Sequence, residues 1–259
     1  MPELPDVETF KRYLDATSLH QRITDVNVLS PDLLKDVSAS ELTHQLKGRR
    51  FESSKRHGKH LFAHIDEKLW LRLHFGMTGS LRYFKNEEKA PRHTRVVFAF
   101  EKDYQLAFDD QRKFGEIGLV KNVDEFLEGR RLGPDALDVD LKEFKDILRK
   151  HHASVKSILM NQKLIAGIGN IYADEILFHA RIHPATQVSG LNDRVVATLF
   201  RSVQYILNKA IDAKADAERM PKSWLLAHRG RGEKCPRCGC ELKSATIGGR
   251  TAWFCARCQ

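Results

Sequence analysis

Five cysteines lie within the last 25 residues of the chain, and four of them form two C-x2-C pairs. Sixteen residues separate the pair Cys235 and Cys238 from the pair Cys255 and Cys258. Each pair places two thiolates on one turn, and the two pairs complete the tetrahedral four-sulfur site that Zn²⁺ prefers. We therefore expect one structural zinc ion, with no open coordination position for catalysis. We expect Cys240 to be a free thiol; a role as a zinc ligand is the less favoured alternative.

The N-terminal segment MPELPDVETF places Pro2 and Glu3 ahead of Val7, Phe10 and Leu14, which recur at helical spacing. The segment alone favours a helix entry, with proline at a first helical position and acidic residues in the first turn. A catalytic use of Pro2 and Glu3 is the alternative, and the segment alone does not exclude it.

Glycine turns occur twice beside residues that suit an anionic ligand. Gly167 and Gly169 precede Asn170 and a helical pattern. Glycines there let the backbone approach a ligand, and a helix N-terminus offers N–H donors to a phosphate. A tight corner between helices would explain the same glycines. Arg250 follows the pair Gly248–Gly249 at a hairpin tip, where it is either a solvated side chain or a contact to a DNA phosphate.

Apolar patterning predicts the elements that must position these turns. Short, partly alternating runs between residues 20 and 120 indicate the strands of a sandwich or barrel. The eight runs are ITDVNVL, RRFESSKR, KHLFAHI, LWLRLHF, SLRYF, RVVFAF, YQLAF and EIGLV. Gly133 and Pro134 mark a boundary, after which helical spacing continues to about residue 217. The four helical runs are LKEFKDILRK, SVKSILMN, NIYADEILFHA and NDRVVATLFRSVQYILNKAIDA.

The charge balance favours an anionic partner, with nucleic acid as the first candidate. The 259 residues include 43 Lys and Arg against 34 Asp and Glu, a formal net charge of +9. Lys156 and the basic stretch 150–152 would add positive charge beside the glycine turn. No stretch approaches the length of a membrane span, and the acidic start lacks the basic and apolar regions of a signal peptide. We therefore expect residence in the cytoplasm, with nucleoid association if the source is bacterial.

Six segments in register resemble the formamidopyrimidine-DNA glycosylase and endonuclease VIII family, closer to the formamidopyrimidine branch. They are MPELPDVE, the KHL that follows HGK, HFGMTGSLR, DDQRKFG, LIAGIGNIYADEILF and the four-cysteine finger. The resemblance spans the chain and implies an α+β multidomain fold. The implied domains are an N-terminal helix with an antiparallel β-sandwich in residues 1–132, a helix-two-turn-helix domain in 133–218 and a zinc-finger hairpin in 219–259.

The resemblance implies that Met1 is removed and that the secondary amine of Pro2 is the nucleophile. An α-amine titrates near pH 8, so about a tenth of it is neutral at pH 7 without burial. Attack on the sugar C1′ would release the damaged base and leave an iminium, the electron sink for eliminating the strand phosphates. Glu3 is implied as the general acid and base. Lys59 is implied in β-elimination, and Arg250 in gripping the phosphates that flank the flipped nucleotide.

Six residues are implied to contact DNA. Extruding a base costs on the order of a few kcal/mol of stacking, and three residues match those that fill the void: Met77, Arg112 and Phe114. Methionine and phenylalanine suit an apolar gap between bases, and arginine can hydrogen-bond the orphaned partner base. The other three match backbone-contact positions: His93, Lys113 and Asn170.

The implied function is a bifunctional DNA glycosylase and abasic-site lyase of base excision repair. It would act as a monomer on damaged double-stranded DNA through β,δ-elimination, with no redox cofactor and no catalytic metal. A non-catalytic zinc-finger protein that binds damaged DNA is the alternative, and an RNA-binding helix-turn-helix module would leave the Pro2–Glu3 pair unexplained.

Four features depart from the family pattern, one of them the AHRGRGEKC run that leads into the finger. Asp6 stands where the family usually has Glu, and His152 stands where Lys is common. The segment from Asp212 to Lys234 is shorter than in members that favour 8-oxoguanine. Lesion preference therefore stays open among 8-oxoguanine, formamidopyrimidines, hydantoins and oxidised pyrimidines.

Overall fold

The computed structural model describes residues 1–66 and 68–259, which fold into two compact units. The first unit comprises residues 1–2 and 6–130, and the second comprises residues 3–5 and 131–259. Within the described part of the chain, no helix is both long enough and apolar enough to span a bilayer.

The first unit is built on two β-sheets. Its strands are β1 (Ile23–Val28), β2 (Leu34–Lys35), β3 (Ser53–His57), β4 (His60–Asp66), β5 (Leu69–His74), β6 (Gly79–Lys85), β7 (Thr94–Phe100), β8 (Tyr104–Asp110) and β9 (Glu116–Val120). One sheet has the order β1-β7-β8-β6 and the other β2-β9-β5-β4-β3. Each of the eight predicted runs forms a strand, and the pairings among these eight strands are antiparallel. The two-residue β2 was not predicted, and it pairs in parallel with β9.

The two sheets bury apolar side chains in a shared core, as in a sandwich. Leu71 and Leu73 of β5 are fully buried there, together with Phe108 of β8. Since successive side chains on a strand point to opposite faces, Arg72 lies on the other face of its sheet. Arg72 is 2% exposed and forms a 2.9 Å ion pair with Glu116. The alternation visible in the sequence therefore predicts the core face correctly.

Three helices belong wholly or mainly to this unit. They are α1 (Leu4–Thr17), α2 (Ala39–Leu46) and α3 (Val123–Gly129). The helix α1 begins at Leu4, so Pro2 precedes the helix and does not occupy its first position. The helix α2 corrects the prediction of strands throughout residues 20–120. Ser38 caps it by accepting the N–H of Glu41 at 3.2 Å, and this S-x-x-E signal was available in the sequence.

The second unit contains the four predicted helices. They are α4 (Leu141–Arg149), α5 (Val155–Met160), α6 (Asn170–Ala180) and α7 (Asp193–Asp212). Side chains of Asp140, Ser154 and Asn192 cap α4, α5 and α7, which explains where these helices begin. The apolar stripe of α7 packs in one buried core with four residues of α6, and this packing holds α6 in place. The four are Tyr172, Ala173, Ile176 and Leu177.

The C-terminal segment forms the predicted two-stranded hairpin, β10 (Lys243–Ile247) and β11 (Arg250–Phe254). Gly248 and Gly249 have φ angles of +58° and +72°. Two successive positive φ angles define the turn that matches the twist of a hairpin, and glycine adopts them without strain. Arg250 is consequently the first strand residue after the turn, and it is exposed.

Candidate functional site

The four predicted metal ligands lie together. The Sγ atoms of Cys235 and Cys258 are 3.8 Å apart, those of Cys238 and Cys255 are 3.5 Å apart, and all four lie within 4.8 Å of one another. A tetrahedron with metal–sulfur distances of about 2.3 Å has edges of about 3.8 Å, so the donor set fits a four-thiolate metal site. Cys240 lies outside this group, and its carbonyl accepts the Cys235 N–H at 2.8 Å.

The carboxylate of Glu3 is bound to the N-terminus of α6. Its Oε2 accepts the N–H groups of Gly169 at 2.7 Å and Tyr172 at 3.2 Å, and its Oε1 accepts the N–H of Ile171 at 2.8 Å. Glu3 is 1% exposed. A negative charge at a helix N-terminus is favourable, because the first N–H groups of the helix have no partner within it. The carboxylate is therefore fixed by backbone rather than by mobile side chains.

This arrangement corrects the proposed use of the glycine turn. The N–H donors were expected to meet a phosphate, but three of them meet Glu3. The N–H of Leu4 also donates to the carbonyl of Gly167 at 3.0 Å. A Cβ at Gly169 would lie 2.4 Å from Glu3 Cδ, and one at Gly167 would lie 2.5 Å from Leu4 Cδ1. The glycines are thus required by the close approach of the N-terminal segment of the chain itself.

Asn170 and Lys156, two candidates beside this turn, have different surroundings. Asn170 is the first residue of α6, and its buried Oδ1 has no hydrogen-bond partner among the described residues. An amide oxygen accepts hydrogen bonds, so this atom calls for a donor, and a phosphate would have to be bound through the NH₂ group of the same side chain. Lys156 was expected to add charge for DNA, but it is fully buried and paired with Asp174 at 2.6 Å. Lys156 is not part of the exposed basic surface.

Glu175, on the same helix, is a buried acid that sequence analysis did not single out. It is 1% exposed and accepts the N–H of Leu226 at 2.7 Å. Burial raises the pKa of Glu175 to about 7, although the N–H groups of Leu226 and Leu225 and the charges of Arg237 and Arg229 oppose the increase. The folded protein therefore holds a proton on this group near neutral pH.

Glu175→Gln is expected to make the protein more stable than the parent at high pH. The folded state retains a proton that the unfolded state releases between pH 4.5 and about 7, so the group destabilises the fold as pH rises through that window, by on the order of 3 kcal/mol. We expect the thermal midpoint of the variant, relative to the parent, to rise by about 5 °C or more between pH 5 and pH 8.5. Glu143→Gln, on exposed α4 surface, is the control. A difference independent of pH would contradict the raised pKa.

In the first unit, Lys59 lies in the two-residue turn between β3 and β4, next to Gly58 with φ +55°. Two imidazoles are close to this turn, His60 and His74, whose ring centroids are 4.8 Å apart. Burial lowers the pKa of His74 to about 4 and lowers the pKa of His60 well below its ordinary value. Both rings are neutral at neutral pH, so neither adds positive charge beside Lys59.

The three predicted void-filling residues lie on two adjoining loops of the first unit. Met77 and Phe114 are 39% and 54% exposed, which is unusual for large apolar side chains. The guanidinium of Arg112 lies 4.9 Å from the ring centroid of Phe114. A Cβ at Gly76, where φ is +55°, would lie 2.3 Å from the Phe114 carbonyl carbon, so the loops touch through backbone. The structure therefore brings these three together.

Asp110 holds these loops, and sequence analysis missed it. It is fully buried and accepts hydrogen bonds from the Thr78 hydroxyl, the Arg112 N–H at 3.2 Å and the Gly115 N–H at 2.8 Å. One carboxylate thereby joins the loop after β5 to the loop after β8. The available signal was the doubled acid in DDQRKFG, because a carboxylate at a strand end commonly binds the N–H groups of the following turn.

The remaining predicted residues are placed as follows. His93 precedes β7, and its N–H donates to Asp109 Oδ1 at 2.8 Å. Lys113 has φ +55° and lies 3.7 Å from Asp32 in an exposed ion pair. Pro2 is half-buried and belongs to the first unit, whereas Glu3, bonded directly to it, belongs to the second. Asn170, Glu3 and Arg250 all belong to the second unit.

Comparison with known proteins gives full-length matches. Three family models match successive parts of the chain: the formamidopyrimidine-DNA glycosylase N-terminal domain at residues 1–117, the formamidopyrimidine-DNA glycosylase H2TH domain at 132–221, and the zinc finger found in FPG and IleRS at 232–259. Formamidopyrimidine-DNA glycosylase of Pelotomaculum thermopropionicum is 35% identical, with 100% of this chain and 99% of the relative covered. That of Bacillus subtilis is 34% identical, with the same coverage.

A solved structure has the same fold. The Lactococcus lactis formamidopyrimidine-DNA glycosylase, non-covalently bound to DNA containing an AP site, matches with a TM-score of 0.91 at 32% identity over 99% of each chain. The predicted fold class is confirmed. The fold and these matches define a base excision repair enzyme that combines DNA glycosylase and abasic-site lyase activities. The chain belongs to the formamidopyrimidine-DNA glycosylase family.

Proposed function

We propose that the secondary amine of Pro2, freed by removal of Met1, attacks the sugar C1′ of a damaged nucleotide. The nitrogen forms a bond to C1′, the glycosidic bond breaks, and the bond electrons leave with the base, which takes up a proton. Glu3 takes up the proton that the amine nitrogen loses and gives it to the ring oxygen of the sugar as the bond between C1′ and that oxygen breaks. The sugar ring opens, the C1′=N⁺ iminium forms, and Glu3 also moves the protons of later steps. The observation that carries the proposal is the binding of Glu3 by three backbone N–H groups, because a fixed carboxylate beside the terminal residue can serve a reaction at that amine.

After base release, the iminium formed by Pro2 withdraws electrons from the sugar and permits loss of a C2′ proton. Loss of the 3′ phosphate and then of the 5′ phosphate gives β- and δ-elimination. We assign Lys59 to β-elimination, which is supported by its half-buried position in the turn that follows the edge strand β3. Arg250 is assigned to the flanking phosphates, supported by its exposure at the tip of the hairpin.

We propose double-stranded DNA with damaged bases or abasic sites as the partner. The exposed Met77 and Phe114, with Arg112 stacked on Phe114, have the chemistry to fill the space of a flipped nucleotide. Three further residues would contact the DNA backbone: His93, Lys113 and Asn170. The L. lactis relative bound to AP-site DNA supports this assignment.

Four thiolates at tetrahedral spacing favour one Zn²⁺ as the occupant of the metal site, with a structural role because no ligand position is left open. We further propose that the chain acts as a monomer in the cytoplasm and has functional domains at residues 1–132, 133–218 and 219–259. The family models at 1–117, 132–221 and 232–259 support this division without setting its boundaries.

The segment between α7 and the hairpin supports a lesion range beyond 8-oxoguanine. Met220, Trp224 and Leu225 in this segment are buried, and the Leu226 N–H is bound by Glu175. These contacts hold the middle of the segment, so chiefly the short exposed runs 217–219, 221–223 and 231–234 are left to cover an extruded purine. We therefore propose formamidopyrimidines, hydantoins or oxidised pyrimidines as substrates alongside 8-oxoguanine.

Borohydride trapping tests the proposed nucleophile. We expect the processed chain, incubated with a duplex carrying a formamidopyrimidine or an abasic site, to form a covalent adduct whose reduced sugar maps to Pro2 by peptide mass spectrometry. Pro2→Gly should greatly reduce base release. An adduct on an internal lysine would overturn the role of Pro2, and the absence of any adduct would favour the non-catalytic DNA-binding alternative.

A further inference from the structure

A buried ion pair in the second unit has no part in the proposed chemistry. Lys156 of α5 and Asp174 of α6 are both 0% exposed, with Nζ and Oδ1 2.6 Å apart. Asp174 Oδ2 also accepts from Arg229 Nη2 at 2.8 Å and from the Trp253 N–H at 3.1 Å. Burial lowers the pKa of Lys156, although the charge of Asp174 opposes this. Such a pair is a weak source of stability, because desolvation offsets most of the attraction, so its position in the fold calls for another explanation.

The pair binds the outer edge of the strand that begins with Arg250. Ile247 and Arg250 flank the two-residue turn and exchange backbone hydrogen bonds with each other. From Arg250 onward, every second residue of β11 bonds to β10 in the same way. Thr251 and Trp253 therefore direct their backbone groups away from β10. Lys156 Nζ donates to the Thr251 carbonyl at 3.1 Å, and Asp174 accepts the Trp253 N–H. The pair thus binds one outward-facing backbone group of each of these two residues.

The helix α6 connects this strand with the anchored carboxylate. The N-terminus of α6 binds Glu3, and Asp174 follows one turn later on the same helix. Arg250 directly precedes Thr251 in the chain. We propose that Lys156 and Asp174 are positioning residues. By binding β11 to α6, they fix the position of Arg250 relative to Glu3, which is bound at the N-terminus of the same helix. This inference rests on the phosphate contact proposed above for Arg250.

Lys156→Met tests the proposal with little disturbance of the core. Methionine retains the apolar stem but cannot donate to Thr251, while Asp174 keeps Arg229 and the Trp253 N–H. We expect the single-turnover excision rate and the affinity for an abasic-site duplex to fall by about 10- to 100-fold, as for a misplaced binding group. Lys145→Met is the matched control, because it removes a lysine from a surface pair with Asp193 on the same unit; it should leave both quantities unchanged.

A double-mutant cycle with Arg250→Ala shows whether Lys156 acts through Arg250. If it does, Lys156→Met should lower the excision rate and the duplex affinity by less than about threefold when Arg250 is already alanine, because the two effects are not additive. The same loss in both backgrounds would overturn the positioning role and leave the role of Arg250 intact. An inert Arg250→Ala would overturn both assignments, while trapping on Pro2 would still test the nucleophile separately.

A neutralised pair separates positioning from folding. If Lys156→Met lowers the thermal midpoint, the double variant Lys156→Met/Asp174→Asn removes both charges of the pair. It also leaves Arg229 without its carboxylate, so it is expected to recover only part of the stability. Positioning predicts that excision stays low in this variant, because Thr251 still lacks its donor. Recovery of excision together with the fold would mean that the pair acts through stability alone, and would overturn the proposal.

Discussion

Glu3→Gln is expected to lower the single-turnover rate of base excision by about 10²- to 10⁴-fold, the usual contribution of a positioned general acid or base. The glutamine side chain has the size of the glutamate but cannot give a proton to the sugar ring oxygen. Affinity for a lesion-containing duplex should be retained, because the proposed phosphate contacts of Arg250 and Asn170 are unchanged. Single-turnover excision from a formamidopyrimidine duplex, with binding measured in parallel, gives the two quantities separately.

The structure adds a second effect of the same substitution. Both carboxylate oxygens accept backbone N–H groups, and an amide offers only one acceptor. If the oxygen of the glutamine meets the N–H groups of Gly169 and Tyr172, its NH₂ group faces the N–H of Ile171. An unsatisfied buried donor costs about 1–3 kcal/mol, so Glu3→Gln should also lower the thermal midpoint.

Glu175→Gln is the matched control for this experiment. It makes the same exchange in a buried glutamate of the same unit, and Glu175 has no proposed contact with DNA. Glu175→Gln is expected to keep its stability at neutral pH, so it controls for the loss of a buried carboxylate and should excise at the parent rate. Measuring excision with saturating enzyme well below the thermal midpoint removes the effect of any stability that Glu3→Gln loses. If Glu3→Gln excised the lesion at the parent rate, the role assigned to Glu3 would be wrong.

Removal of the metal is expected to lower the yield of borohydride trapping on damaged DNA by about 100-fold or more. This is the usual effect of losing a fixed electrostatic contact. The buried cluster around the thiolates contains few apolar side chains, chiefly Phe178, Leu225 and Leu242. Such a core does not hold a hairpin without its metal. If the hairpin unfolds, Arg250 is no longer held in position by the contacts of β11 with Lys156 and Asp174. Cys238→Ser, or a strong chelator, followed by metal analysis and borohydride trapping, makes the measurement.

Cys240→Ser is the control for metal loss. Cys240 lies outside the four-thiolate group, and its Sγ lies 3.9 Å from Arg257 Nη1. We expect this variant to keep its metal and its trapping yield. Full trapping by the metal-free Cys238→Ser protein would contradict the dependence of Arg250 on the hairpin. Metal loss in Cys240→Ser would instead make Cys240 a ligand.

Much of the fold follows from local patterns. The eight strand runs and the four later helices are present because alternation and helical spacing each specify which face is buried. The helix α2 was missed because its short amphipathic run lies among strands, and only the Ser38 cap identifies it. The helix α3 was missed for a related reason: what places it is the packing of Phe126 against His60, Phe62 and Arg72, residues far away in the sequence.

The sequence by itself determined the chemistry that depends on close spacing: the two C-x2-C pairs, the Gly248–Gly249 turn ahead of Arg250, and the neighbouring Pro2 and Glu3. Only the tertiary structure decided the partners of the charged groups. Glu3 is bound by N–H groups about 170 positions away, and Lys156 is buried against the finger strand rather than exposed. The physical reason is that a thiolate pair or a glycine turn is defined by a few bonds of chain. Whether a charge is solvated or buried depends instead on which distant backbone and side-chain groups the fold brings to it.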